Sequence, residues 1–180
     1  LEELASHIKI EEQHVVVLDW LNGNRSILSN SHLTGSIFGL TLQTPYEMIH
    51  RAYIEATAFG TKLIMKQFED NHIPVHTVYA SGGIPQKSKL LVEIYANVLN
   101  KKVVVLDSSN ASALGAAMLG ATVGNAYSTL KEAALSMKQP IAYIQEPEFQ
   151  KVQAYEPLYH KYCELHDLLG RQYPELSYLI

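Results

Sequence analysis

Two consecutive glycines, Gly82 and Gly83, are the residues of this sequence best suited by type and position to bind a ligand. They follow an apolar run at residues 75–80 and precede a helical pattern, so they lie where a strand turns into a helix. Glycine lets backbone N–H groups approach phosphate oxygens without the clash that a Cβ atom would cause. Lys87 and Ser88 stand close enough in sequence to add a positive charge and a hydroxyl group. A plain strand–helix turn is the alternative interpretation of the same residues.

A second candidate is the run of small residues from Asn110 to Ala117, which includes Gly115. Small side chains on a helix allow another backbone or a flat ligand to come close. Each glycine inside a helix costs about 1 kcal/mol relative to alanine, so the glycines need a reason. We expect that reason to be close packing on the sheet or on a neighbouring helix. Ser109 and Asn110 are expected to cap the start of this helix.

The remaining chemistry-bearing residues give weaker signals. The polar loop at residues 22–25 is typical of a turn that ends in a surface arginine. The eight histidines have no metal-ligand spacing, and the sequence lacks a nucleophile elbow, a Walker A loop and a G-x-G-x-x-G fingerprint. We therefore expect no metal site. Cys163 is the single cysteine, which excludes an intrachain disulfide, and its place in the last helical pattern predicts a core position.

Apolar patterning predicts the elements that must position these residues. Strands are expected at residues 15–18, 36–42, 75–80 and 103–106, and helices at 44–70, 88–99, 111–127, 129–139 and 155–169. The first two strands could pair as an antiparallel ribbon. Thr44, Pro45 and Glu47 offer a capping box for the long helix, with Thr44 as the N-cap. Strands that alternate with helices predict an α/β layer with some parallel pairing.

Length and composition limit the class of protein. The 180 residues are expected to form one domain. A net charge of −4 argues against a nucleic acid or an anionic membrane as the main partner. Charged residues are 18% of the chain, against about 25% in typical domains, so part of the surface is expected to contact another molecule. The start at Leu1 suggests a piece of a longer chain, and the absence of a signal peptide predicts a cytoplasmic protein.

Four motifs, taken together, resemble the C-terminal domain of the FGGY family of carbohydrate kinases. The segment 81–88 resembles the glycine stretch that binds the nucleotide in that family. Residues 113–117 match its A-L-G-A-A signature, residues 51–55 its R-A-x-x-E helix, and residues 23–25 its G-E-R loop. The sequence departs from the family at Asn24 and Asn110, where many relatives have glutamate, and Ile84 and Pro85 lengthen the glycine turn.

The resemblance implies an α/β fold, namely an actin-like ATPase (ribonuclease H-like) domain with a mixed sheet flanked by helices. Residues 1–180 would then be the C-terminal nucleotide-binding domain of a two-domain kinase with ATP in the cleft between the domains. The implied cofactor is ATP with Mg²⁺. The implied nucleotide-binding residues are Gly82, Gly83, Ile84, Gln86, Lys87, Ser88 and Asn110.

The implied chemistry is in-line transfer of the γ-phosphoryl group of MgATP to a sugar hydroxyl. The forms of the motifs at 19–25 and 81–88 resemble family members that act on the 5-hydroxyl of L-ribulose in L-arabinose catabolism. The catalytic aspartate of the family belongs to its N-terminal sugar-binding domain, the expected partner, so no catalytic residue and no turnover are expected in this chain alone. The sequence does not determine whether this chain also forms a homo-oligomer. A non-catalytic actin-like binding or assembly domain and an unrelated α/β fold are the alternatives.

Overall fold

The structure is a computed structural model that describes residues 1–108 and 110–178. Its strands and longer helices alternate along the chain, as the apolar patterning predicted. In chain order the elements are α1 (Glu2–Ser6), β1 (Val16–Leu18), β2 (Ser36–Phe38), α2 (Tyr46–Asp70), β3 (Thr77–Ala80), α3 (Gly83–Lys87), α4 (Lys89–Leu99), β4 (Lys102–Leu106), α5 (Ala111–Val123), α6 (Leu130–Met137), β5 (Ile141–Gln145) and α7 (Phe149–Asp167). Short 3-10 turns at Ile10–Glu12 and Pro174–Ser177 and a π-helical turn at Leu168–Gln172 complete the described chain.

The strands form two small sheets within the described residues. β1 and β2 pair antiparallel with Val17 opposite Ile37, which confirms the predicted ribbon. In the second sheet β3 lies parallel to β4, and β5 lies antiparallel to β4 on its other side. The predicted parallel pairing is therefore confirmed. β5 is a strand that the sequence analysis did not predict.

A large core lies between the β1–β2 ribbon and the helices α2, α4 and α7. The helical spacing of small and aromatic residues in α2 buries Ala52, Ala56 and Phe59 on one face. Phe59 contacts the aromatic rings of Tyr155 and Tyr162 from α7. The predicted core position of the single cysteine is confirmed in part, because its side chain is half-buried against this core.

A second, smaller core lies between α4 and the β3–β4–β5 sheet. Its buried members are Val92 and Ala96 from α4 and Val103 and Val105 from β4. α4 therefore packs on both cores, which explains why most of its residues are buried. This arrangement fixes the α4 helix, and with it the segment that precedes the helix, against the sheet.

The predicted capping box at the start of α2 is wrong. The helix begins at Tyr46, its N-cap is Pro45 in an extended conformation, and no side chain caps it. Thr44 Oγ1 instead accepts a hydrogen bond from the Thr41 N–H at 2.9 Å, because the loop turns back on itself before the helix. At α6 the N-cap is Thr129, whose Oγ1 accepts a hydrogen bond from the Glu132 N–H at 3.2 Å.

Candidate functional site

The turn after β3 has the backbone conformation that the glycine pair predicts. Gly82 has a φ of +99°, in the left-handed region that favours glycine, and Gly83 begins α3. A Cβ atom built on either glycine would meet no heavy atom of the described chain within 4 Å. The glycines are therefore not required by packing on the described residues. The turn leaves room for a ligand beside its backbone.

Contacts with the ends of the neighbouring strands hold this turn in place. The Gly82 N–H donates to the carbonyl oxygen of Ser108 at 2.9 Å. Because β3 and β4 are parallel, their carboxyl ends meet at the same edge of the sheet, where ligands bind in open α/β sheets. Ser108 was not singled out from the sequence. It acts through its backbone carbonyl, which any residue type can supply, so the sequence carries no signal for it.

The residues that follow the glycines divide into two groups. Ile84 is 68% exposed and Lys87 is also exposed, and no ion pair joins Lys87 to another residue of the described chain. Gln86 and Ser88 are bonded to the protein itself. Gln86 Nε2 donates to the Leu106 carbonyl at 3.1 Å, and Ser88 Oγ accepts from the N–H of a residue in the first turn of α4 at 3.1 Å.

Ser88 is thus the N-cap of α4, a structural role that the sequence analysis did not assign to it. The hydroxyl group keeps its own proton for a further hydrogen bond. Its predicted contact with a nucleotide stays a prediction. The same holds for Gln86, whose side-chain N–H₂ carries a second hydrogen that the bond to Leu106 does not use.

Asn110 stands two residues after Ser108, whose carbonyl oxygen accepts the hydrogen bond from the Gly82 N–H of the glycine turn. It is the N-cap residue of α5, but its side chain makes no capping hydrogen bond to the helix. The predicted capping by Asn110 is therefore wrong for its side chain, although its position is right. Ser109, the other expected cap, lies outside the described residues.

The small-residue helix α5 contradicts the expectation of close packing. None of its residues is buried in the described chain, although the helix is built almost wholly from apolar and small residues. A Cβ atom added to Gly115 or Gly120 would meet nothing within 4 Å in the described part of the protein. α5 packs on α6, and neither Gly115 nor Gly120 lies against another part of the described chain.

The R-A-x-x-E motif has a structural explanation. Arg51 Nε donates to Glu55 Oε1 at 2.8 Å, and the other guanidinium nitrogens donate to the Ala5 carbonyl and to the Tyr155 hydroxyl. Both charged side chains are buried. Burial raises the pKa of the Glu55 carboxyl, and the charge of Arg51 opposes that rise. The motif therefore ties α2 to α7 and to the N-terminal segment.

The loop that follows β1 is also structural. Asn24, which replaces the glutamate of the G-E-R motif, is buried, and its Oδ1 accepts from the Leu28 N–H at 3.2 Å. Gly23 has a φ of +73°, and a Cβ there would lie 2.6 Å from Ser31 Cα. This loop thus needs glycine and asparagine for its own tight conformation.

Among the described residues, no group of three or more histidine, cysteine, aspartate or glutamate side chains could hold a metal ion. None of the described helices combines the length and the apolar character needed to cross a bilayer.

Comparisons with known proteins place these features in context. The sequence profile described as "FGGY family of carbohydrate kinases, C-terminal domain" matches residues 1–123. The chain is 97% identical over 180 residues to a protein of Staphylococcus epidermidis named "Ribulokinase", of which it covers 34%. It is 71% identical over 179 residues, or 99% of its length, to "Ribulokinase 1" of Staphylococcus saprophyticus, of which it covers 33%. The chain thus spans about a third of the length of these curated relatives.

A solved structure of similar shape is ligand-bound xylulose kinase from Lactobacillus acidophilus, with a TM-score of 0.80 and 22% sequence identity. The superposition covers 97% of this chain and 35% of that one. At this identity the likeness shows the fold alone. That fold is the actin-like α/β architecture with a mixed sheet, as expected from the sequence motifs.

Proposed function

This chain belongs to the FGGY family of carbohydrate kinases as a C-terminal domain, and we propose that it is the nucleotide-binding half of an ATP-dependent sugar kinase. The observation that carries the proposal is the glycine turn at the carboxyl edge of β3 and β4. Among the described residues the space beside Gly82 and Gly83 is open, and Ser108, two residues before Asn110, bonds to the Gly82 N–H. This is the edge at which α/β sheets bind their ligands.

The backbone of the turn supplies the main phosphate contacts in this proposal. The Gly82 N–H already donates to the Ser108 carbonyl, so we assign the phosphate contacts to the next two amide groups of the turn, those of Gly83 and Ile84. The first N–H groups of a helix have no partner within it, which leaves these two amides for phosphate oxygens. Lys87 adds a positive charge near the phosphates. Gln86 and Ser88 add the hydrogens that their own bonds leave unused, and Asn110 is the further residue that we assign to the nucleotide site.

The phosphoryl donor we propose is MgATP, with Mg²⁺ bound to its phosphate oxygens. Phosphoryl transfer depends on positioning and on stabilisation of negative charge more than on covalent chemistry by the protein. This chain contributes the positioning of the nucleotide. The aspartate that accepts the proton of the sugar hydroxyl lies outside this sequence, in the N-terminal domain. A kinase that uses MgATP in this way is expected in the cytoplasm.

The sugar we propose is L-ribulose, phosphorylated on its 5-hydroxyl. The support is the name of the relatives that are 97% and 71% identical to this chain. High identity over the whole chain indicates that the two proteins share the nucleotide half of the site. The sugar contacts lie mostly in the part of those relatives that this chain does not cover.

The partner of this chain is the remaining two thirds of the kinase, and α5 is the contact surface we propose for it. α5 carries large apolar side chains in contact with solvent, with Leu119 at 55% and Val123 at 83% exposure. Gly115 and Gly120 would let a second backbone approach this helix closely. The low charge of the chain agrees with a surface that is covered in the full-length protein.

Phosphorylation of L-ribulose tests the function. The full-length protein should convert L-ribulose and MgATP to L-ribulose 5-phosphate and ADP in a coupled assay, and residues 1–180 alone should not. An Asn110→Ala variant of the full-length protein should raise the KM for ATP and leave the KM for the sugar unchanged. Turnover by the 180-residue chain alone would contradict the proposal that this chain supplies only the nucleotide half of the site. An inactive full-length protein would contradict the proposed kinase function itself.

A further inference from the structure

Three hydrogen bonds fix the segment from Gly82 to Gln86, and one of them comes from a distant part of the chain. Gly82 and Gln86 are bonded to the carbonyl groups of Ser108 and Leu106, at the end of β4. The third bond joins the Tyr143 hydroxyl of β5 to the carbonyl oxygen of Pro85 at 3.0 Å. Tyr143 lies outside residues 1–123, the region that matches the family profile.

The Pro85 carbonyl is a group that needs a partner from outside its own helix. α3 has only five residues and ends at Lys87. The carbonyl groups in the last turn of a helix receive no hydrogen bond from an N–H of the same helix. Pro85 is buried, so its carbonyl is poorly placed to be satisfied by bulk water. Tyr143 supplies the missing donor.

Tyr143 is itself held firmly. Its backbone pairs with Val105 in the antiparallel β4–β5 ladder, and its ring packs against the smaller core around α4. A tyrosine hydroxyl keeps its proton at neutral pH and is therefore a donor, and burial raises the pKa of this one further. The Tyr143 hydroxyl is therefore held in place by β5 and the smaller core, and its hydrogen bond to Pro85 ties α3 to that part of the structure.

The geometry points to Tyr143 as a positioning residue of the nucleotide site. Its bond to Pro85 orients α3, and α3 begins with the Gly83 and Ile84 amides that we assign to the phosphates. Tyr143 does not touch the nucleotide; it acts by holding the amide groups in the direction that the phosphate oxygens require. This inference rests on the proposed function, because it needs a nucleotide at the glycine turn.

The test is the Tyr143→Phe variant of the full-length kinase, which removes one hydroxyl group and keeps the ring. With saturating sugar, we expect the KM for ATP to rise roughly 3- to 10-fold, the effect of losing one ordinary hydrogen bond. The KM for the sugar should stay unchanged. Tyr127→Phe is the matched control, since that hydroxyl contacts the Ser136 hydroxyl at 3.0 Å away from the turn.

Thermal melting of both variants without nucleotide separates positioning from general stability. Similar melting temperatures together with a raised KM for ATP only in Tyr143→Phe would support the inference. An unchanged KM for ATP in Tyr143→Phe, an equal rise in both variants, or an equal rise in the KM for the sugar would overturn it. A wild-type protein that neither binds MgADP nor uses MgATP would instead overturn the proposed function, and this inference with it.

Discussion

Replacing Arg51 with methionine should lower the free energy of unfolding of this chain by about 3–5 kcal/mol, the usual loss when one partner of a buried ion pair is removed. The Glu55 side chain is 1% exposed, and its Oε1 lies 2.8 Å from Arg51 Nε. Methionine keeps much of the aliphatic volume of arginine, so the lost charge and hydrogen bonds dominate. The Ala5 carbonyl and the Tyr155 hydroxyl lose their donor at the same time. A solvent-exposed ion pair would contribute only up to about 1 kcal/mol, so the size of the measured loss distinguishes a buried pair from an exposed one.

A double variant, Arg51→Met with Glu55→Leu, provides the control. Removing both charges of a buried pair is often neutral or stabilising, so the double variant should regain most of the stability that the single variant loses. Urea unfolding followed by fluorescence gives both free energies, because Trp20 is the single tryptophan of the chain and is buried in the core. A loss below about 1 kcal/mol in the single variant, or an equal loss in the double variant, would refute this view of the Arg51–Glu55 pair.

Three substitutions and one pH dependence test the fold further. Gly39→Ala should cost more than about 1 kcal/mol, because Gly39 has a φ of +84° and its added Cβ would overlap the carbonyl oxygen of His14. Gly115→Ala, by contrast, should stabilise the isolated chain by up to about 1 kcal/mol, since its added Cβ meets no atom of the described residues within 4 Å. Thermal melting gives the direction of both changes in stability. A destabilised Gly115→Ala would show that α5 packs closely at Gly115. Thr129→Ala removes the N-cap bond of α6 at a cost of about 1 kcal/mol, which hydrogen exchange should report as faster exchange of the α6 amides and not of α4. Burial lowers the pKa of His166 from 6.5, so the unfolded chain takes up its proton at a higher pH than the folded chain. Stability should therefore fall as the pH drops below 6.5, and an unchanged slope in His166→Phe would contradict this assignment.

Much of the fold could be predicted because local patterns and long-range packing agree in α2, β1, β3 and β4. The buried residues of α2 follow the helical spacing, and β4 is a continuous run of buried valines. β5 could not be predicted in this way, because Ile141 and Ile144 are exposed and the run has no clear apolar alternation. Its strand conformation comes from pairing with β4, which is a contact that no local pattern reveals.

The candidate site could be predicted only where a residue type determines the backbone. Gly82 was identifiable because a strand followed by two glycines indicates a turn with positive φ. The supports of that turn were not identifiable. Tyr143 lies 58 residues from Pro85 in sequence, and Ser108 acts through its main chain. The exposure of α5 was not predicted either, because small residues on a helix indicate close packing without indicating which residues they pack against.

Titration of the full-length protein with MgADP by calorimetry tests the central claim most directly, when wild type is compared with Gly83→Val and Ala126→Val. A Cβ at Gly83 meets no atom of the described chain within 4 Å, so Gly83→Val should fold normally. The valine side chain should occupy the space in which we propose that the phosphates bind. Ala126 is exposed and lies outside the turn, so its variant is the matched control. We expect equal affinity for MgADP in wild type and Ala126→Val and an affinity weakened by roughly tenfold or more in Gly83→Val. The melting temperatures of the three proteins without nucleotide should be the same. Equal affinity in all three proteins would contradict it.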